Sequence, residues 1–231
     1  MNPTLANSVC VGHKKGDEAR MRWKNICVSG LAVAVMGVMT AGPVKAAGFS
    51  EVMAQAPQVQ AGHYKIESNR TQVLFSVSCL SMSHYRGLFS GVTGDLSLDP
   101  EHPERSKVHL IIPLTSLTTT TDEVGQMLRQ RSWLDVSDYP EAEFTSTNVV
   151  YDGPSRADVA GTLTLRGVTH PVTFKASFLG AGPNVAQHTY NVGFEVRGTI
   201  SRSAFGMVQS PVAVGDDVTL TASGVFEKYS N

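Results

Sequence analysis

Seven histidines, at 13, 63, 84, 102, 109, 170 and 188, and three cysteines, at 10, 27 and 79, are the side chains best suited to metal or nucleophilic chemistry here. A zinc site places such ligands in close pairs on one element. These are scattered, with His102 in a turn signal and His170 in a strand connection, so solvated histidines are the expectation. Nucleophilic catalysis has no sharper signature, since neither a Gly-x-Ser-x-Gly elbow nor a Cys–His arrangement occurs. A Ser/His/Asp set gathered from distant strands stays open, because triads are recognised by geometry rather than by order. Two arginine segments remain, Arg166-Gly167-Val168-Thr169 and Ser201-Arg202-Ser203. They offer charged hydrogen bonds to a polar head group. The plainer reading is turn chemistry, with each Arg paired to an acid such as Asp135 or Asp216.

The elements that must hold these residues are strands. Apolar residues fall on alternate positions through Val73, Phe75 and Val77, then Phe89 with Gly94, Leu96 and Leu98, then Val108, Leu110 and Ile112. The same period returns in Ala142, Phe144 and Ser146, and in Val159, Gly161, Leu163 and Leu165. It continues in Val172, Phe174, Ala176 and Phe178, in Val192 to Ile200, and in Val218 to Phe226. Period-2 runs separated by turn signals such as Asp99-Pro100 predict an antiparallel barrel or sandwich of seven or eight strands. Thr120-Thr121-Asp122-Glu123 matches a capping box and opens one short helix near 122–131. The helix leads into an apolar-aromatic clamp, Trp133-Leu134 and Tyr139-Pro140.

Glycines recur within the strands at 94, 161, 198 and 224. Glycine inside a strand marks a bend or a close approach. Beside Phe and Leu such glycines are expected to leave unfilled volume, which favours a barrel enclosing one small ligand over a filled sandwich.

Composition narrows the partners. From residue 61 onward there are 13 Lys and Arg against 17 Asp and Glu, a formal charge of −4, with the two signs interspersed. No basic block or aromatic-basic stripe marks a nucleic-acid or anionic-membrane surface. The front of the chain reads differently. Residues 1–20 are expected to be an upstream extension, and residues 21–47 carry Arg22 and Lys24, an apolar run from Ile26, and small residues to Ala47. That order is expected of a signal peptide, which implies a periplasmic or secreted product without a transmembrane segment in the mature chain. A linker over 48–62 and a single domain over 63–229 complete the expected organisation. Cys10 and Cys27 fall in the part expected to be removed, so Cys79 is left alone and reads as a small buried hydrophobe.

The ordered pieces Tyr64, Val73-x-Phe75-x-Val77, Arg86-Gly87-x-Phe89, Gly94-x-Leu96-x-Leu98-Asp99-Pro100, Leu128-Arg129 and Trp133-Leu134-Asp135-Val136-x-x-Tyr139-Pro140 carry a resemblance. It continues through Phe144-x-Ser146, Gly161-x-Leu163-x-Leu165-Arg166-Gly167-Val168-Thr169-x-Pro171-Val172, Ser201-Arg202-Ser203-x-Phe205-Gly206 and Val214-Gly215-Asp216-x-Val218. Together they resemble the YceI family of lipocalin-like lipid-binding proteins, over about residues 63–228. The resemblance implies an all-β fold: an extended eight-stranded antiparallel β-barrel closed partly by a helix, with an apolar tunnel for a polyisoprenoid or isoprenoid quinone. It implies carriage without turnover and no cofactor. Members often carry His immediately before the Leu matched by Leu128, where this chain has Met127, so the polar contact to a head group is in question.

The walls of the expected tunnel are Val73, Phe75, Val77, Phe89, Leu96, Leu98, Val108, Leu110 and Ile112 on the first strands. Leu128, Trp133 and Phe205 are further expected lipid contacts, and Trp133-Leu134 with Tyr139-Pro140 are expected to serve as a lid over the tunnel mouth or as a helix-to-barrel anchor. Phe144, Leu163, Leu165, Phe174, Phe178, Phe194, Val196 and Ile200 line the later strands. A long-chain isoprenoid lipid is the expected partner, and the protein is expected to be a monomer or homodimer. A packed β-barrel acting as an interaction module, and a lipid-modifying enzyme, are the competing readings.

Overall fold

A computed structural model describes residues 59–229. The expected upstream extension and signal peptide, with Cys10, Cys27, His13 and most of the linker, lie outside them. Eleven strands and one α-helix follow in order. β1 is Gly62–Ile66, β2 Gln72–Cys79, β3 Ser83–Phe89, β4 Thr93–Leu98, β5 Lys107–Pro113 and β6 Thr118–Thr119. After α1, Asp122–Arg129, come β7 Glu141–Tyr151, β8 Arg156–Leu165, β9 Val168–Asn184, β10 Thr189–Ser201 and β11 Val214–Lys228.

Pairing is antiparallel throughout, and the ring β1-β4-β5-β7-β8-β9-β10-β11 closes where β11 returns to β1. β2, β3 and β6 continue the wall beyond β11. The eleven segments are therefore eight barrel strands, because β1 with β2, β3 with β4, and β5 with β6 are single strands interrupted once. The interruptions at 67–71, 90–92 and 114–117 lie side by side, since Ile66 and Val73 flank the first while Phe89 and Thr93 flank the second. Serines stitch them: Ser68 Oγ donates to Val92 O at 2.6 Å, and Ser90 N donates to Ser116 Oγ at 3.0 Å. A closed cylinder leaves few sheet edges open.

Alternation puts Val73, Phe89, Leu96, Ile112, Phe144, Leu163, Phe174, Ile200 and Phe226 into one inner cluster. A β-bulge in β7 between Ser146 and Asn148 adds a residue, so the inward series passes from even to odd numbers at Val149 and Tyr151. A second irregularity, between Gly193 and Phe194, shifts the top of β9 against β10. β8 ends opposite Ser177, so residues 178–184 of β9 pair with β10 alone.

Three expectations need correction. The helix cap is Thr121 rather than Thr120: its hydroxyl accepts from Val124 N at 3.4 Å, and the helix stops at Arg129. The glycines do not leave voids. A Cβ at Gly87, Gly161 or Gly198 would run into the rings of Phe75, Phe144 and Phe174, so these positions make room for an aromatic ring from the neighbouring strand. Gly224 differs, because its nearest neighbours stand at ordinary contact distances and it faces a cavity. Cys79 is fully buried and disulfide-bonded, so the expectation of a lone thiol is corrected as well.

Candidate ligand-binding site

Two cavities run along the inside of the barrel. The outer has a volume of about 220 Å³ and the inner about 130 Å³. Val73, Ile112, Leu163 and Leu220 belong to both linings, so the two stand end to end. The outer cavity lies between Phe144, Phe174, Phe194 and Phe226 and reaches a rim of Pro103, Ser106, Lys107, Val149 and Tyr151. The inner lies under α1 and its following turn, against Leu128, Trp133, Leu134 and Met207. No polar atom faces the inner cavity. For scale, a dry apolar cavity of about 150 Å³ admits benzene.

Eighteen of the twenty expected wall residues line one cavity or the other. Phe178 and Phe205 do not. Phe178 sits beyond the end of β8, with its ring 5.7 Å from that of Phe194, and so backs the wall. Phe205 is buried in the short turn of 3₁₀ helix Ser203–Phe205, edge-on to His170 at 5.3 Å. Sequence reasoning missed Val149 and Tyr151, which only the bulge in β7 turns inward. It also left Ala157, Ala176 and Ala222 out of the walls, whose small side chains widen the bore and carry little hydrophobic signal.

The arginines act as struts of the closed end. Arg202 is 4% exposed and lies over the Trp133 ring at 5.5 Å. Its Nε donates to Gly215 O at 2.8 Å, its Nη2 to Val214 O at 2.9 Å and its Nη1 to Met207 O. Burial pulls its pKa below the ordinary value, opposed by the charge of Asp216. Asp216 is engaged elsewhere: it accepts from Ser201 Oγ, from Ser203 Oγ at 2.9 Å and from Ser203 N at 2.9 Å. Those bonds, the Ser201 hydroxyl first, hold its carboxyl below the usual carboxylate range. Arg166 donates to Phe205 O at 3.2 Å and Arg131 O at 3.0 Å, tying the β8–β9 turn to the lid. The expected Arg–acid pairs with Asp135 or Asp216 are therefore corrected, because these guanidinium groups bind backbone carbonyls. Turn chemistry is the right reading, and neither segment presents a free charge to the bore.

Among the described residues no group of three or more His, Cys, Asp or Glu stands close enough to hold a metal. His109 bonds Glu143 at 2.8 Å on the exposed surface, away from the bore. No helix among the described residues is long and apolar enough to cross a membrane.

A closed antiparallel barrel enclosing an apolar bore defines a lipocalin-like class. Residues 64–226 match the YceI-like domain, and the chain belongs to that family. A UPF0312 protein of Pseudomonas syringae pv. tomato is 36% identical over 176 residues, covering 75% of this chain and 91% of that protein. A UPF0312 protein of Vibrio parahaemolyticus is 38% identical over 139 residues, covering 59% and 74%. Among solved structures, Burkholderia cenocepacia BcnA superposes with a TM-score of 0.62 at 21% identity, covering 69% of this chain and 98% of its own. A polyisoprenoid binding domain from Saccharophagus degradans, implicated in plant cell wall breakdown, superposes with a TM-score of 0.57 at 15% identity, covering 74% and 100%. At these identities the structural likeness speaks to fold.

Proposed function

We propose that this chain is an exported binding protein that sequesters or carries a polyisoprenoid or isoprenoid quinone in its barrel, without turning it over. The pair of apolar cavities placed end to end carries this reading. Each methylene withdrawn from water contributes about 0.8 kcal/mol, so a few isoprene units supply ample affinity even after the cost of ordering the chain. Water gains little in a lumen whose walls offer almost no hydrogen-bond partner. The YceI-like family and the polyisoprenoid-binding neighbour support a lipid cargo, and the charged-then-apolar front of the chain supports periplasmic or secreted placement. Binding without catalysis is supported by the arginines, which are held by backbone carbonyls at the closed end, and by the surface position of the His109–Glu143 pair.

The test is direct. Protein purified from a membrane-rich host is extracted with organic solvent and analysed by mass spectrometry, beside Ala222→Phe, which places a ring in the outer cavity. Wild type is expected to yield an isoprenoid lipid, and the folded variant at least about tenfold less. Well-folded wild-type protein that yields no lipid and takes up neither added quinone nor polyprenol would sink the reading.

A further inference from the structure

Resting on that reading, we propose that the amphiphile is held tail-first, its chain end against Trp133 under α1 and an oxygen-bearing polar head at the opposite rim between Lys107 and Tyr151. The two ends of the bore differ in what they offer a polar group. At the inner end no polar atom faces the cavity, and the one charged residue in its lining, Arg202, has its three nitrogens committed to the carbonyls of Met207, Val214 and Gly215. A head group pushed there would lose its water and find no partner, which is costly for any hydroxyl or carbonyl.

The outer end reads the other way. Its buried hydroxyls are already used: Thr71 Oγ1 donates to Glu67 O at 2.9 Å, and Ser106 Oγ accepts from Asp99 N at 3.0 Å. Lys107 and Tyr151 are what remains. Lys107 Nζ donates to Thr147 O at 3.0 Å and forms no ion pair among the described residues, leaving two N–H groups to offer. Tyr151 lines the same cavity and is 52% exposed, so its hydroxyl meets water and ligand alike. Asp99 stands nearby, its Oδ1 occupied by Glu101 N and His102 N. A negative neighbour disfavours a multiply charged head most strongly. From Lys107 at the rim to Ile112, where the cavities meet, β5 rises about 17 Å. The two ends are thus well separated along the wall.

Trp133 reports on the inner end without a label. The chain holds two tryptophans, so Trp23→Phe in the full chain makes Trp133 the sole emitter. The probes are two stearic acids, one with a nitroxide near its methyl end and one with it near its carboxyl end. The methyl-end label is expected to quench Trp133 at least about threefold more strongly. Lys107→Met is expected to lower the affinity for stearic acid about fivefold while leaving methyl stearate unchanged, the size of one partly exposed charge-assisted hydrogen bond. Equal or reversed quenching, with both nitroxides immobilised by the protein, overturns the orientation. An unaltered acid-to-ester ratio in the lysine variant overturns the role of Lys107. If neither nitroxide is immobilised, it is the container reading that fails.

Discussion

Asp216 shows how much of the closed end depends on one carboxylate. Its three hydrogen bonds hold Ser201 and Ser203, and with them the turn from which Arg202 reaches under the lid. A carboxyl held below its ordinary pKa stabilises the fold fully above about pH 4 and loses that contribution as pH falls through the lowered value. Asp216→Asn is therefore expected to melt about 2–4 °C below wild type at neutral pH, the size of one net hydrogen bond. The gap should close as the two are compared toward pH 2 by calorimetry, and a pH-independent gap would contradict the account. Arg202→Lys, though charge-conserving, is expected to be worse. A point ammonium cannot serve three carbonyls spread over Met207, Val214 and Gly215, so about 3 kcal/mol is expected to be lost in denaturant titration.

At the scale of elements the β2–β3 connection is under strain. Leu80 and Ser81 both hold left-handed φ, 50° and 56°, in a turn closed by Met82 N donating to Cys79 O at 3.1 Å. Glycine meets that conformation without the Cβ clash. Ser81→Gly is expected to raise the melting temperature by about 1–3 °C, since the freer unfolded chain offsets part of the gain. The strands themselves were legible in the chain. Alternation located the inward residues of the long strands, β7 beyond Ser146 excepted, because burial on one face imposes period two. Three features were not legible, each for a geometric reason. A single inserted residue in β7 reversed which of Asn148, Val149, Val150 and Tyr151 faces in. The breaks at 67–71 and 90–92 contain ordinary residues whose role appears only when neighbouring strands lie alongside. Gly161 and Gly198 look like vacancies in one dimension, whereas in three a ring from the next strand fills each place.

For the whole molecule, the bore makes stability depend on contents. A ligand that binds only the folded state adds about 2.7 kcal/mol at a hundred times its dissociation constant. For a domain of this size that corresponds to about 5–10 °C. In thermal melts with geraniol, farnesol, geranylgeraniol and a longer polyprenol, the shift is expected to grow with chain length and then level off once the cavities are filled. A shift independent of length would mean that binding does not use the bore. Along the outside, opposite charges are interspersed and the domain carries little net charge, so neither electrostatic steering nor a charged surface suggests a second ligand class.

The three neighbouring interruptions stitched by Ser68 and Ser116 have a mechanical consequence. They encircle part of the wall near the level where the two cavities meet, and there the main-chain ladder gives way to hydroxyl ties and short turns. A cylinder laddered without a gap is tied by main-chain bonds all round, whereas the midriff of this one hangs on two serine side chains, so losing Ser68 or Ser116 is felt by neighbouring strands at once.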